Sequence, residues 1–342
     1  DSIGATGTSS PISVTGLSNG TNYTFRAYAI NSYGTSAASD ASNSATSVEA
    51  TRMVLAGGKT NTNSNVIEYV AEASTGTFAD FGDLTVARYS IYGSCASTTR
   101  CVFTAGENSS GGLVNVLDYI TMASTGNATD FGNRSNKKTG GHSNGTIGLI
   151  TGGADANENA TVSCHQITIS STGNSTNFAF LSVSRSNVAS ATSPTRAIIA
   201  GGHGTNSNPR YNTIDYHTYS SQATANDFGD LSSARNNVAG ASNNTRAIFG
   251  GGTSGSGVNV IEYITMASTG NVADFGDLSG TKINMSAGSG RIFAVFTGGS
   301  TASDAAEKVN FSTLGDSTDF GDLTVGRSQG HTVATNGHGG IA

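Results

Sequence analysis

A chain of 342 residues is long enough for one large all-β domain with a fragment beside it, or for two ordinary domains. Its 46 Gly, 3 Pro, absent Trp and 12% charged residues fit neither the every-third-glycine period of a collagen nor the high net charge of a disordered tail. A net charge of −6 spread thinly leaves no basic stripe for nucleic-acid phosphates, and no apolar run nears the roughly 20 residues that cross a bilayer.

In chain order, residues 1–44 come first. They carry Pro11-Ile12-Ser13-Val14-Thr15-Gly16-Leu17, then Asn22-Tyr23-Thr24-Phe25-Arg26-Ala27-Tyr28-Ala29-Ile30-Asn31, then Gly34-Thr35-Ser36. The spacing of Leu17 and Tyr23 resembles a tyrosine corner, and the segment resembles the C-terminal half of a fibronectin type III domain. A half sandwich leaves apolar faces uncovered, so the chain is expected to be part of a longer polypeptide. Residues 45–51, small and polar, read as a linker.

From residue 52 to 342 the chain repeats itself. Asn-Val-Leu-Asp-Tyr-Ile-Thr-Met-Ala-Ser-Thr-Gly-Asn at 115–127 returns as Asn-Val-Ile-Glu-Tyr-Ile-Thr-Met-Ala-Ser-Thr-Gly-Asn at 259–271. A marker phenylalanine, mostly within Asp-Phe-Gly, stands at Phe81, Phe131, Phe178, Phe228, Phe275 and Phe320, which defines six units at intervals of 45 to 50 residues. Each unit also has an apolar run ending in small residues, as in Val54-Leu55-Ala56-Gly57-Gly58 and Ile198-Ile199-Ala200-Gly201-Gly202. In one unit the pattern predicts an inner strand over Asn237–Ala241, a buried strand over Arg246–Gly250, an alternating strand over Val258–Met266 and an outer strand around Asp274–Leu278. Four antiparallel strands per unit make a propeller blade, so the expected fold is all-β, a six-bladed β-propeller. The first unit begins at its second strand, and Gly330-His331-Thr332-Val333-Ala334 reads as an inner strand, so the C-terminal segment is expected to close the ring.

The units resemble the Kelch repeat, with its double glycine, a Tyr on the third strand and a basic residue beyond the fourth. The Tyr position is assigned to Tyr69, Tyr119, Tyr216 and Tyr263, with Phe311 in the last unit and Gln166 as the exception; the expected Trp is replaced by the marker Phe. Seven residues after the marker stand Arg88, Lys138, Arg185, Arg235, Lys282 and Arg327. Two readings are open for these six. They could line a channel mouth and gather an anion, or they could pair with Asp83, Asp230, Asp277 and Asp322 nearby and fasten each blade. A residue present in every repeat is expected to serve the repeat, which favours the second.

Chemistry is sparse. His142, His165, His203, His217, His331 and His338 show no HxH or HxxxH spacing, the Asp80/Asp83 type of pair lacks the oxygen density of a calcium loop, and no nucleophile elbow, P-loop or dinucleotide fingerprint is present. No catalytic residue, metal or cofactor is therefore expected. Cys95 and Cys101 flank a turn and are either bridged or, with Cys164, ordinary buried thiols. Units differ most in the loops after the double glycine, which hold Lys59, Glu107, Asp155, His203, Arg210 and Tyr211. These loops are either tolerant solvent turns or the binding face.

The Ser/Thr/Asn/Gly-rich units joined to a fibronectin-like piece resemble Kelch-like segments of bacteriophage tail-fibre and appendage proteins. That resemblance implies a non-enzymatic virion component, contacting host surface glycan or protein, or other virion proteins, with homo-oligomerisation through upstream regions compatible with it. A bacterial secreted or surface adhesin is the alternative, and a carbohydrate-active enzyme is a third reading.

Overall fold

The computed structural model describes residues 3–9, 12, 14, 17, 21–46, 51–72 and 76–341. The chain divides into two compact units, Asp1–Ala50 and Thr51–Ala342; residues 47–50 of the expected linker lie outside the described set. In the first unit Asn22–Tyr23 pairs with Ala45–Thr46, and Ile30–Asn31 with Gly34–Thr35. Hydroxyls of Ser36, Ser39 and Ser42 accept from the backbone N–H groups of Ala29, Ala27 and Phe25, so the return arm of this hairpin repeats every third residue. Among the described residues this pairing stops short of the two facing sheets of a sandwich.

The second unit is a six-bladed β-propeller. Its described residues form six four-stranded antiparallel sheets whose inner strands meet in a closed ring, together with a small ribbon of Gly106–Glu107 and Leu113–Val114. The inner strands of blades 2 to 6 are Ser94–Ala96, Gly140–Ser143, Ala189–Thr192, Ala239–Ser242 and Ser286–Ser289. Blade 1 takes its inner strand from the far end of the sequence: Thr332–Thr335 pairs with Arg52–Ala56, as the register of the repeat requires. In blade 5 the other strands are Arg246–Gly250, Val258–Thr265 and Ala273–Lys282, the last running beyond its expected end.

Second strands are apolar on both faces because a blade is covered on both sides. Ile248 packs toward blade 6 and Phe249 toward blade 4, and both are fully buried. Each side chain of this kind contributes about 1.5–3 kcal/mol on burial. Toward the axis the strands crowd, and only small residues fit. A Cβ on Gly240 would lie 2.5 Å from the Ser190 carbonyl oxygen. The central channel is accordingly narrow, ≈ 80 Å³, with Ser94, Gly141, Ser190, Gly240 and Ala287 among its lining residues. At one end hydroxyls tie neighbouring inner strands together: Ser143 Oγ accepts from Ala96 N–H at 2.9 Å, and Ser242 Oγ from Thr192 N–H at 2.8 Å. The segment after Thr335 lies against this end, with Gly339 close to the carbonyls of Thr192 and Asn243 and His338 within 3.0 Å of the Ala96 oxygen.

The two most repeated motifs meet each other across blades. The glycine of Asp-Phe-Gly and the glycine of Ser-Thr-Gly-Asn in the following blade press backbone to backbone, both at positive φ: +148° at Gly229 and +156° at Gly270. A Cβ on Gly229 would stand 2.3 Å from the Gly270 oxygen. The Asn after the second glycine then accepts a backbone N–H from the first blade, as Asn271 does from Asp230 at 3.0 Å. Between blades 3 and 4 both glycines are missing together, replaced by Ala179 and the turn 220–225, which has none.

A second contact explains the Tyr position. In blades 1, 2, 4 and 5 the first residue of the second strand is an arginine lying 4.3–5.0 Å over the ring of Tyr69, Tyr119, Tyr216 or Tyr263. Each tyrosine meets its marker phenylalanine edge-on, and each arginine donates to a backbone carbonyl of the next blade, as Arg52 does to Met122 at 2.8 Å. In blade 6 the register opposes Lys308, not Phe311, to Val295, so Lys308 holds the Tyr position and stacks on Phe293 and Phe320. Blade 3 has Ile147 and Gln166 at the two positions, and a cleft of ≈ 300 Å³ opens beside them.

The basic residues beyond the marker are latches, with partners other than those expected. Arg88, Arg185, Arg235 and Arg327 are fully buried and do not line a mouth. Their carboxylates come from the third strand of the next blade, one residue before the Tyr position. Arg88 meets Asp118 at 2.6 Å, Arg185 meets Asp215 at 2.9 Å, Arg327 meets Glu68 at 3.0 Å, and Arg235 and Lys282 meet Glu262 and Glu307. The latches therefore join blades, and Asp83, Asp230, Asp277 and Asp322 are not their partners. Lys138 is not one of them. The connection into blade 3 is shorter by two residues, so Asn136 holds the register position of Arg88; Lys138 shares positive φ with Ser90, Asn187, Asn237, Asn284 and Gln329 at the entry to each inner strand.

Cys95 packs toward blade 3 and Cys101 toward blade 1, on opposite faces of one sheet, and all three cysteines are buried free thiols. Burial pushes the thiols of Cys95 and Cys164 up to about 12.

Candidate functional site

The loops after the double glycine and the connections entering each inner strand share one face. Blades 1 to 5 each tie their loop to their own connection by a short antiparallel bridge: Lys59 with Ser328, Glu107 with Tyr89, Ala154 with Lys137, His203 with Ser186 and Thr253 with Asn236. Further contacts pass from blade to blade. The Lys59 ammonium lies 5.1 Å over the Tyr89 ring, Asn63 Nδ2 donates to the Glu107 carbonyl at 3.4 Å, and Arg210 Nε donates to Asn236 Oδ1 at 3.2 Å. The Ala160 N–H donates to Thr205 Oγ1 at 3.1 Å. With the Lys137–Glu107 pair between blades 2 and 3, these contacts link blades 1 to 5 along a continuous rim.

The most charged part of that rim lies over blades 2 and 3. Lys137, fully buried, meets Glu107 at 2.8 Å and also Glu158, and donates to the Gly111 carbonyl at 2.7 Å. Lys138, partly exposed, meets Glu158 at 2.7 Å and Glu107 at 3.4 Å. Ser90 Oγ donates to Glu107 Oε2 at 2.5 Å. Burial works against the Lys137 ammonium, but the two carboxylates prevail and hold its pKa above the ordinary value. Glu158 is shifted down: its partial burial opposes the charged form, and Lys137 and Lys138 outweigh that effect. Two cations and two anions balance, so the cluster fixes the loop geometry without giving the face a strong sign.

The residues expected at the binding face divide accordingly. Lys59 and Glu107 belong to the rim contacts. Asp155 closes its own loop by accepting N–H groups of Asn157 and Asn159 at 2.8 and 2.9 Å, and these bonds hold its pKa down. His203 is buried with Nδ1 2.7 Å from the Gly204 carbonyl; burial and then the nearby cations Lys138 and Arg210 lower its pKa, with only the Gly204 bond and Glu158 opposing. Arg210 reaches across to blade 5, while the Tyr211 backbone receives the Arg235 N–H at 3.1 Å and its half-buried side chain stays at the rim. Lys137 was not singled out from the sequence, although a signal existed. The marker-to-glycine distance is 21 residues from Phe131 to Gly152 but 23 from Phe178 to Gly201, from Phe228 to Gly251 and from Phe275 to Gly298, so a fixed offset from the marker lands two residues too far in that unit.

Among the described residues no three His, Cys, Asp or Glu side chains converge as a metal-binding group. Cys164 Sγ approaches His217 Nε2 at 3.2 Å inside the wall between blades 3 and 4. Its thiol is pushed up by burial rather than down, which is the reverse of an activated nucleophile. Comparison with known protein families and with curated proteins finds no match for this chain.

Proposed function

We propose that the chain is a non-enzymatic binding module of a virion, a phage tail-fibre or appendage component whose loop face contacts host surface glycan or another virion protein. The observation that carries this reading is a division of labour. The blades are near-copies through their cores and latches, whereas the loops on one face differ in length and charge and are bound to each other into a rim. Variation held on a rigid scaffold is the arrangement that serves recognition. The Kelch-like character of the repeat and the fibronectin-like pattern of residues 1–44 belong to the same reading.

The test is a glycan array probed with the whole chain, followed by pull-down of virion proteins. Binding that is lost in Arg210→Ala or Tyr211→Ala, with the fold intact by circular dichroism, is the expected result. Turnover of a host polysaccharide would overturn the non-enzymatic assignment, and silence in both binding assays would leave a purely structural role.

A further inference from the structure

The passage from blade 2 to blade 3 breaks the latch pattern in a way that leaves a buried charge. At the other five passages a cation meets a carboxylate, and that carboxylate also accepts the backbone N–H four residues after the marker: Thr85 to Asp118 at 3.3 Å, Ser182 to Asp215 at 3.2 Å, Ser232 to Glu262 at 3.2 Å, Ser279 to Glu307 at 3.0 Å and Thr324 to Glu68 at 3.0 Å. In blade 3 the strand position of these acids is held by His165.

The cation is nonetheless present. Arg134, at the position of Leu84, Leu181, Leu231, Leu278 and Leu323, is only 2% exposed and sends Nη2 to the carbonyls of Gly152 at 3.1 Å and Ser163 at 3.4 Å. Arg185 uses the corresponding oxygens of Gly201 and Thr213. Arg134 Nε and Nη1 are buried without a partner. Nε is unpartnered in Arg185, Arg235 and Arg327 as well, but each of those has its carboxylate. Among the described residues Arg134 has none. The ionisable groups around it supply no negative charge: Cys95 and Cys164 are thiols pushed up to about 12 by burial, and His165 is held down to about 4 by burial and by Arg134. An unpaired guanidinium at this depth costs several kcal/mol unless something neutralises it.

We propose that a small monovalent inorganic anion of halide size occupies the missing carboxylate's place, bound by Arg134 Nη1 and Nε and by the Ser135 N–H, the counterpart of the N–H groups that meet the acid at the other five passages. Ser135 is exposed, which leaves a way in from solvent. The site is independent of the loop face, so either assignment stands or falls alone.

The test is thermal unfolding of the full chain in bromide against gluconate at equal ionic strength, with a bromide-soaked crystal read by anomalous scattering. The expected result is a melting temperature that rises with bromide, by on the order of 5 °C at a hundredfold excess over the dissociation constant, and a bromide peak within hydrogen-bond distance of Arg134. His165→Glu restores the acid of the other passages, so it abolishes the bromide response while raising stability in gluconate. Arg134→Leu, the residue found at all five equivalent positions, abolishes the response from the other side. A bromide response equal in the parent and both variants, no response in the parent, or no peak at Arg134 would overturn the site.

Discussion

Replacing Asp215 by Asn tests whether the inter-blade latches stabilise the ring as pairs. Arg185 Nη2 and Asp215 are 2.9 Å apart and both side chains are fully buried. The guanidinium also donates to the carbonyls of Gly201 at 3.0 Å, Thr213 at 2.7 Å and Ile199 at 3.2 Å, and the carboxylate also accepts the Ser182 hydroxyl at 2.7 Å. Burial lowers the Arg185 pKa, and Asp215 is the main influence in the other direction. Asp215→Asn keeps the shape and most hydrogen bonds but removes the countercharge, leaving a cation at zero exposure. Breaking a buried pair in this way costs about 3–5 kcal/mol, against about 0–1 kcal/mol for a surface pair. The chain has no Trp, so urea unfolding is followed by far-ultraviolet circular dichroism. The double variant Arg185→Met/Asp215→Leu removes both charges and is expected to recover most of the loss. A loss under about 1 kcal/mol for Asp215→Asn, or a double variant no better than the single, would refute the reasoning.

Deleting residues 328–342 removes the strand that pairs with Arg52–Ala56, so the single cooperative melt is expected to broaden or split; an unchanged calorimetric transition refutes closure. Gly229→Ala places a Cβ against the Gly270 oxygen at a φ of +148° and is expected to cost roughly 2–4 kcal/mol in urea unfolding. The fully buried His142, His331 and His338 have pKa values depressed from near 6.5 to about 4, 3 and 4, mainly by burial. A depressed pKa adds stability that is present above 6.5 and lost as pH falls through the folded value. At about 1.4 kcal/mol per proton per pH unit, the melting temperature is therefore expected to be flat between about pH 6.5 and 8, to fall steeply between about 6 and 4, and to fall again above about pH 8.5, where the unfolded chain's cysteines ionise and the buried thiols do not. Cys95, Cys101 and Cys164 are expected to resist a thiol reagent until the chain unfolds, as judged by absorbance of the released chromophore.

Much of the fold was legible because its causes are local and repeated. Paired glycines, the marker Phe and the apolar second strand recur at a near-constant spacing, and the missing first strand of unit 1 foretold the closing strand Thr332–Thr335. What the sequence hid was pairing between units. Asp83 and Arg88 are near in the chain, yet the partner of Arg88 is Asp118, because the latch spans the gap to the next blade. A fixed offset also misplaced Lys138 and passed over Lys137 and Arg134, whose roles come from a connection two residues shorter. The candidate site was legible only as a set of loops. Which of its residues face solvent and which are spent on neighbours is decided by contacts such as Arg210 with Asn236, for which no periodicity exists.

The departures from symmetry cluster, and that clustering is informative. Blade 3 lacks the Tyr and its arginine, carries Ala179 where other blades have the pressed glycine, and holds His165 in place of the latch acid. Losses that are purely drift would scatter around the ring, each removing one half of a contact and leaving the other exposed. Instead they come with matching changes: the opposite glycine disappears from the turn 220–225, Cys164 and His217 meet in the wall toward blade 4, and Arg134 refills the slot that Asn136 cannot fill. The same blade borders the Glu107, Lys137, Lys138 and Glu158 network on the loop face. A ring of near-identical blades has no intrinsic reason to concentrate its charges over one passage. The sector from blade 2 to blade 4 is therefore the first place to substitute loop residues when mapping binding, ahead of blades 5 and 6, which carry no such charge cluster.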